Sequence, residues 1–260
     1  MEISSLGFIG GGRITRIIIN GLKRRGKVPG EIVVSDTNIE TLQKLQNEFP
    51  EITIAPNDNS LPAEKEMVFF AVHPQVTADV LTEIKTFIKP TTFFISLVPR
   101  VKIEKIVEGT KCFPKIVRMI PNACSIVNEG YNPVTFSDTV TEEEKKTLLD
   151  FLSVLGECPV VSEEKLEAYA VITGMGPTYF WFQFNELKEI AKSFGLNEQE
   201  AEKGIAKMVN GTIKTLLGSG LSPEEVMDLI PVRPLQDFET QIKEAYHSRL
   251  EPLHKKLKAI

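Results

Sequence analysis

A short apolar segment followed by three consecutive glycines restricts the fold of this chain more than any other feature. Residues 6–9 precede Gly10-Gly11-Gly12, and apolar residues then recur from Ile14 to Leu22 at the spacing of a helix. In a strand, glycine turn and helix, the backbone can approach a phosphate closely, and the helix directs free N–H groups toward it. The pattern Gly10-x-Gly12-x-x-Thr15 is typical of a dinucleotide pyrophosphate site, with Thr15 replacing the usual Gly or Ala. The alternative is a turn that only connects a strand to a helix.

The second strand-like segment, residues 31–36, ends in an acidic residue. This residue is Asp36. In many dinucleotide-binding proteins, an acidic residue at this point accepts hydrogen bonds from the ribose hydroxyls of adenosine. It disfavours the extra phosphate of NADP, and no Arg follows in Asp36-Thr37-Asn38, so the sequence favours NAD over NADP. Arg13, in the glycine turn, is the nearest candidate for a phosphate contact. The alternative for Asp36 is an Asx-type cap of the following turn, and both can hold together.

Apolar runs at residues 67–72, 93–98 and 116–120 predict further strands that are buried on both faces. Because helical patterns separate them, the N-terminal part is predicted to be α/β, a doubly wound, mainly parallel sheet of the Rossmann type. Ligands of such sheets bind beyond the carboxyl ends of the strands. The residues expected there are His73, Ser96, Pro121 and Asn122. The alternative for His73 is a solvated loop histidine.

Three helix starts are predicted by capping-box patterns, in which a Ser, Thr or Asn is followed three positions later by Glu. These are Thr37-x-x-Glu40, Thr141-x-x-Glu144 and Asn197-x-x-Glu200. Each pattern satisfies N–H groups at the start of a helix that have no partner within the helix itself.

From Ser162 onward the pattern is helical only, which divides the chain into a Rossmann domain, residues 1–160, and an all-helical domain, residues 161–260. The segment Gly174-Met175-Gly176-Pro177 interrupts the first helical stretch, and it either presents backbone N–H groups to an anion or simply kinks the helix. The aromatic run at 179–184 predicts helix–helix or subunit packing. A helical half that buries a wide apolar surface suggests a homodimer.

Composition narrows the class of protein. The formal net charge of −5 argues against nucleic acid as a partner. No apolar run approaches the length of a membrane span, and the N terminus has no pattern of a cleavable leader, so we expect a cytoplasmic protein. The three cysteines, Cys112, Cys124 and Cys158, have no metal-ligand spacing and are predicted to be buried or half-buried free thiols, and no metal site is expected.

Several short motifs in this order and spacing resemble the family of pyrroline-5-carboxylate reductases, from about residue 6 to 229. They are GFIGGGRIT at 7–15, AVHPQ at 71–75, RMIPNA at 118–123, Glu129-Gly130, and GMGPTY at 174–179. The resemblance implies a Rossmann domain and an all-helical dimerisation domain, in a homodimer or a larger ring. It also implies reduction of the cyclic imine of proline synthesis with NADH or NADPH.

The resemblance assigns roles position by position. For the cofactor it implies Gly10, Gly12, Arg13 and Ile14 at the pyrophosphate, Ser35, Asp36 and Thr37 at the adenosine ribose, and Ala71, Val72, His73, Pro74, Ser96 and Asn122 toward the nicotinamide. For the substrate it implies Pro121, Asn122, Gly176 and Pro177. His73 stands where the family usually has Lys, and it keeps a hydrogen-bond donor without a permanent charge.

The departures from the family pattern concern the substrate side. The SIAAG turn is replaced by residues 96–100, Met175 replaces a Ser, and the SPGGTT loop is replaced by residues 232–237. Two prolines and no glycine cannot form the same nest of amides, but Arg233 could bind a carboxylate bidentately. The candidates for proton delivery are Tyr179, His73 and Asp237. The alternatives are a related reductase of another imine or oxo acid and a non-catalytic cofactor-binding protein.

Overall fold

A computed structural model describes residues 3–110 and 115–259 of the chain. Its internal contacts divide it into a first unit, Met1–Met175 with His254–Ile260, and a second unit, Gly176–Leu253. The sequence pattern changes earlier, at Ser162. The difference arises because residues 163–175 pack on the sheet of the first unit, where buried Arg118 pairs with Glu163 and Glu167.

The first unit is built on a seven-stranded sheet with the order β3-β2-β1-β4-β5-β6-β8, in which β6 and β8 are antiparallel and the other pairs are parallel. Two short strands, β7 and β9, form a separate parallel pair. The strands are β1 (Ser5–Ile9), β2 (Glu31–Asp36), β3 (Thr53–Pro56), β4 (Met67–Phe70), β5 (Phe93–Ser96), β6 (Lys115–Met119), β7 (Gly130–Tyr131), β8 (Val134–Phe136) and β9 (Gly156–Glu157). The prediction of a doubly wound, mainly parallel sheet is confirmed.

Helices connect these strands in the first unit and form the whole of the second. In the first unit they are α1 (Arg13–Arg24), α2 (Ile39–Glu48), α3 (Ser60–Ala63), α4 (Thr77–Ile84), α5 (Ile103–Thr110), α6 (Glu142–Leu152) and α7 (Leu166–Tyr169). A π-helical turn, Ala170–Gly174, follows α7. The remaining helices are α8 (Pro177–Ser193), α9 (Glu198–Gly218), α10 (Pro223–Asp228) and α11 (Glu239–Lys258), whose last residues belong to the first unit.

The core of the first unit lies on both faces of the sheet. One cluster includes Phe8, Phe69 and Val117, and the other includes Phe70 and Phe94. Neighbouring residues of one strand thus face opposite clusters, which is why the central strands are continuous apolar runs rather than alternating ones. The sheet therefore holds the carboxyl ends of β1, β4, β5 and β6 at a rigid edge.

The capping boxes at Thr141 and Asn197 form as the spacing predicts. The one predicted at Thr37 is wrong: α2 begins one residue later, with Asn38 as its N-cap residue and its side chain accepting from the N–H of Thr41 at 3.1 Å. The reason is that the Asp36 side chain accepts from the N–H of Asn38 at 2.8 Å, and this Asx turn places Thr37 before the helix.

The second unit is a set of helices with little interior of its own. Among its described residues in α8, α9 and α10, Ala201 is the buried one, and the predicted glycine interruption does precede α8. Large apolar side chains stay exposed; they include Phe182, Phe194, Leu217, Ile230 and Val232. Across the described chain, no helix combines the length and the apolar character that crossing a membrane requires.

Candidate active site

The glycine turn between β1 and α1 contains a position that no other residue can occupy without strain. Gly10 has a φ of +107°, and a Cβ there would lie 2.6 Å from the carbonyl oxygen of Ala71. Its N–H donates to the carbonyl oxygen of Ser35 at 2.8 Å. The turn thereby contacts the end of β2 and the segment after β4, on either side of β1.

The N terminus of α1 opens onto free space beside this turn. Gly12 is the N-cap residue, no side chain of the described residues caps the helix, and a Cβ on Gly12 would meet no atom within 4 Å. Arg13 follows and is exposed. Free helical N–H groups, the helix dipole and a nearby cation are the features that bind a phosphate. The residues therefore fit the pyrophosphate of a dinucleotide, and Ile14, half-buried in the first turn, adjoins them.

Thr15, at the position of the usual third Gly or Ala, is fully buried below the turn. Its hydroxyl donates to the carbonyl oxygen of Gly10 at 2.5 Å. The larger side chain thus finds a hydrogen-bond partner and braces the turn, and the motif keeps its geometry despite the substitution.

Asp36 connects the end of β2 to the glycine turn. One carboxylate oxygen accepts from the N–H of Gly11 at 2.8 Å, and the other accepts from the N–H of Asn38 at 2.8 Å. The Asx turn that the sequence left open is therefore present. Each oxygen retains a lone pair, so the carboxylate can still accept from a ribose hydroxyl.

Ser35 and Thr37 flank Asp36 in different environments. Ser35 is fully buried, and its hydroxyl donates to the side-chain oxygen of Asn59 at 2.7 Å. Its side chain thus braces the sheet edge rather than facing outward. Thr37 is exposed beside Asp36.

The segment after β4 comes next to the glycine turn. The N–H of Ala71 donates to the carbonyl oxygen of Ile9 at 2.8 Å, and Val72 is half-buried. His73 is exposed and caps a short 3₁₀ turn that begins at Pro74, with its Nδ1 accepting from the N–H of Gln75 at 3.4 Å. In the neutral ring the proton then lies on Nε2, which is left as a donor.

The segment after β5 has a strained residue. Ser96 is buried, and its hydroxyl oxygen accepts from the N–H of Val98 at 3.4 Å. Arg100, which stands at the position of the glycine in the family's SIAAG turn, has a φ of +75°. This left-handed conformation favours Gly, so Arg100 occupies it with backbone strain.

Asn122, after β6, is the most connected of the candidate residues. It is buried; its side-chain NH₂ donates to the carbonyl oxygen of Thr173 at 2.7 Å, and its side-chain oxygen accepts from the N–H of Cys124 at 2.8 Å. Its backbone N–H donates to Asn132 at 2.8 Å. Pro121, immediately before it, is half-buried. Asn122 therefore holds the loop after β6 to the π-helical turn.

The remaining candidates belong to the second unit. Gly176 is the N-cap of α8, and Pro177 is its first residue. The ring of Tyr179 contacts Tyr246 edge-on at 6.2 Å between centroids, and burial raises the pKa of the Tyr179 hydroxyl. Raising this pKa favours the protonated form, which can donate.

Arg233 forms an ion pair with Glu239 at the start of α11. Both side chains are about one-third exposed, and Asp237, in the 3₁₀ turn between them, is exposed. The guanidinium pairs through a single nitrogen, so further donors remain available for a carboxylate.

Of the two cysteines in the described residues, Cys124 contributes its backbone N–H to the bonds around Asn122. Cys124 and Cys158 are half-buried free thiols, and burial raises the pKa of Cys158 to about 12. Cys112 lies outside the described residues. High thiol pKa values argue against nucleophilic roles.

Sequence reasoning missed the buried ion-pair cluster of Arg118, Glu163 and Glu167. The available signal was an arginine in the middle of the apolar strand 116–120, because a fully buried charge requires partners. Its two carboxylates come from a distant part of the chain, so periodicity could not identify them.

Two family models match the chain. Residues 5–100 match the one described as NADP oxidoreductase coenzyme F420-dependent, and residues 163–232 match the one described as pyrroline-5-carboxylate reductase dimerisation. The pyrroline-5-carboxylate reductase of Escherichia coli (strain K12) is 27% identical over 226 residues, which cover 86% of this chain and 84% of that protein.

Solved structures agree with these matches. A pyrroline-5-carboxylate reductase from Coxiella burnetii has a TM-score of 0.70 at 26% identity, over 100% of this chain and 96% of that chain. The Plasmodium falciparum pyrroline carboxylate reductase, solved with NADP bound, has a TM-score of 0.83 at 22% identity, over 100% and 98%, and shares the fold. The fold and the glycine turn define a nicotinamide-dependent oxidoreductase of the Rossmann type. Within that class, the dimerisation model, the relatives and the solved structures support the pyrroline-5-carboxylate reductase family.

Proposed function

We propose that the protein reduces pyrroline-5-carboxylate to proline with a reduced nicotinamide dinucleotide. The observation that carries this proposal is the uncapped N terminus of α1 beside the open space at Gly12, in a chain of this family. The bound cofactor supplies a hydride to the carbon of the C=N bond, and the ring nitrogen takes one proton, which balances the reaction.

The chain's own part in this reaction is to bind, orient and protonate. The first turn of α1 with Arg13 binds the pyrophosphate, and the segment 71–74 with Ser96 and Asn122 lies toward the nicotinamide. Pro121, Asn122 and the Gly176-Pro177 step border the substrate, and Arg233 binds its carboxylate. The proton comes from Tyr179, His73 or Asp237.

We also propose that NADH is preferred over NADPH. The carboxylate of Asp36 is held at the end of β2 by two backbone N–H groups, where it would repel a ribose phosphate. The exposed residues that follow, Thr37 and Asn38, supply no cation. Arg13 has the opposite effect, because its positive charge near the same turn favours the extra phosphate of NADPH.

A homodimer formed through the second unit completes the proposal, either alone or within a larger ring. Phe194 and Leu217 are 81% and 80% exposed, and Phe182 and Val232 are 67% and 72% exposed. A single chain leaves these apolar side chains in water, and a second copy can cover them with the same surface.

A second candidate is a related reductase that acts on another imino or oxo acid. It is favoured by one observation: the loop 232–237 has two prolines and no glycine, and its arginine already pairs with Glu239. Such a loop would select a substrate through an arginine rather than through backbone amides.

The deciding experiment follows oxidation of NADH and of NADPH by the purified protein over a range of pyrroline-5-carboxylate concentrations. Saturable turnover, faster with NADH, is the expected result. Turnover only with other cyclic imines or oxo acids would favour the second candidate. Cofactor binding without turnover of any of these would contradict both and indicate a non-catalytic protein.

A further inference from the structure

The side chain of Arg118, in the middle of β6, is 2% exposed and carries a full charge inside the first unit. Its Nη1 lies 2.8 Å from Glu163 and its Nη2 lies 2.8 Å from Glu167. Glu167 is buried as well. Burying a charged group costs desolvation free energy. A buried ion pair can nevertheless serve to fix the positions of the segments that it joins.

What these pairs fix is the position of two segments near the carboxyl edge of the sheet. The Glu163 oxygen that binds Arg118 also accepts from the N–H of Ile103 at 2.8 Å, at the start of α5. Glu167 lies in α7, which continues directly into the π-helical turn 170–174. One guanidinium therefore holds both the segment after β5 and the segment that ends at Met175.

A second set of hydrogen bonds continues from there to Asn122. The N–H of Met175 donates to the carbonyl oxygen of Ala170 at 3.0 Å, which closes the π-helical turn. The carbonyl oxygen of Thr173 then accepts from the side chain of Asn122 at 2.7 Å. Single π-helical turns within helices are frequent at functional sites.

We propose that Arg118 is a positioning residue: through Glu163 and Glu167 it sets where residues 171–175 meet Asn122, and so orients the imino-acid substrate. The inference rests on the proposed function, because Asn122 and Pro121 border the substrate there. Arg118 itself touches no reacting atom. It acts through the backbone that follows α7 and through the start of α5.

The test needs a variant that loses the ion pair and still folds. Removing Arg118 alone leaves buried carboxylates without a partner, which is strongly destabilising, whereas replacing a whole buried pair by apolar side chains is often neutral. We therefore choose the double variant Arg118→Met/Glu167→Leu. Glu163, partly exposed, keeps its bond from Ile103.

The matched control removes the ion pair at the other end of the same strand. Lys115, the first residue of β6, pairs with Glu144 of α6 at the amino end of the strand, whereas Asn122 follows its carboxyl end. The variant Lys115→Met/Glu144→Gln loses this pair, and Gln at position 144 can still complete the capping box with Thr141.

In the double variant we expect kcat/KM for the imino acid to fall about tenfold through a higher KM, with the Kd for NADH unchanged. Amide hydrogen exchange should accelerate in residues 170–175, and the Tm should stay within about 4 °C of that of the original protein. The control should change none of the kinetic constants or these amides. Arg118→Lys, which can keep one pair, should be intermediate.

Unchanged kcat/KM together with unchanged exchange at residues 170–175 would overturn the proposal. A parallel loss of Tm, cofactor binding and kcat would also overturn it, because that pattern is expected of a purely structural residue. If the original protein shows no turnover, the proposed function fails separately, and the exchange of residues 170–175 still decides whether Arg118 sets their position.

Discussion

The two units of this chain differ in how completely they bury their own apolar side chains. In the first unit, Phe8, Phe69 and Phe94 are fully buried, because helices cover both faces of the sheet. In the second unit, Phe194 and Leu217 remain about four-fifths exposed. The first unit buries its apolar side chains within one chain, whereas the second leaves many of its own exposed.

The same contrast extends to the functional residues. Those of the first unit are fixed by hydrogen bonds to distant segments, as Asp36 is to Gly11 and Asn122 is to Thr173. Those in the loop before α11 contact near neighbours in sequence, as Arg233 does with Glu239. A site element that is bonded across the fold is pre-organised, and one that depends on local contacts takes its final geometry from whatever binds it.

The largest effect is expected from a charged residue introduced on the exposed apolar surface of the second unit. Phe182→Glu should raise the dimer dissociation constant at least about 100-fold, since burying an unpaired carboxylate at an interface costs several kcal/mol. Light scattering should then give a mass near 29.0 kDa, that of one chain. Ser193→Glu, at an exposed polar position of the same helix, is the control and should keep the original mass. An unchanged mass for Phe182→Glu would remove this surface from the interface.

Substitutions at two glycines of the first unit should have different effects, one on stability and the other on cofactor binding. Gly10→Ala should lower the free energy of unfolding by more than about 1 kcal/mol, because φ is +107° and the Cβ would meet the carbonyl oxygen of Ala71 at 2.6 Å. Gly12→Ala should fold normally yet raise the Kd for NADH about 30-fold by filling the space at the helix N terminus. Denaturant titration and fluorescence titration measure the two effects. Normal cofactor binding by Gly12→Ala would contradict the assignment of the pyrophosphate to the N terminus of α1.

Asp36 is both a candidate to bind the adenosine ribose and a hydrogen-bond partner of the glycine turn. Asp36→Ala should weaken NADH binding about tenfold, and NADPH binding less, because removing the carboxylate also removes its repulsion of the ribose phosphate. Equal losses for both cofactors would mean that the bonds to Gly11 and Asn38 are its whole role. Titrations with each cofactor distinguish these outcomes.

The smallest effect is expected in the loop of the second unit. Arg233→Ala should raise the KM for an acidic substrate about threefold to tenfold, because one charge-assisted interaction is lost at a partly exposed site. Glu239→Gln should lower the same KM, since it releases the guanidinium from its ion pair. Steady-state kinetics check both variants. If neither KM changes, Arg233 is not part of the substrate site.

Much of the first unit could be predicted because its determinants are local. The glycine turn, the apolar strands and the capping boxes at Thr141 and Asn197 depend on residues within a few positions of one another. Thr37 failed as a cap because a side chain just before it, that of Asp36, made a competing Asx turn. Two local patterns overlapped there, and spacing alone could not decide between them.

The candidate site was predicted as a set of positions rather than as a network. The alignment of strand ends identified His73, Ser96 and Asn122, because parallel strands finish at one edge. It gave no indication that Ser35 would turn inward to Asn59, or that Asn122 would bond Thr173. These contacts join residues that are far apart in sequence, so no periodic pattern contains them.

Local sequence patterns were enough to predict the glycine turn at Gly10, the central apolar strands and the helical character of the second unit, since backbone preference and hydrophobic spacing act over short distances. The contact of Asp36 with the glycine turn and those of Arg118 with Glu163 and Glu167 are visible in the folded chain alone. Buried polar groups require partners, and folding alone brings those partners from distant parts of the chain.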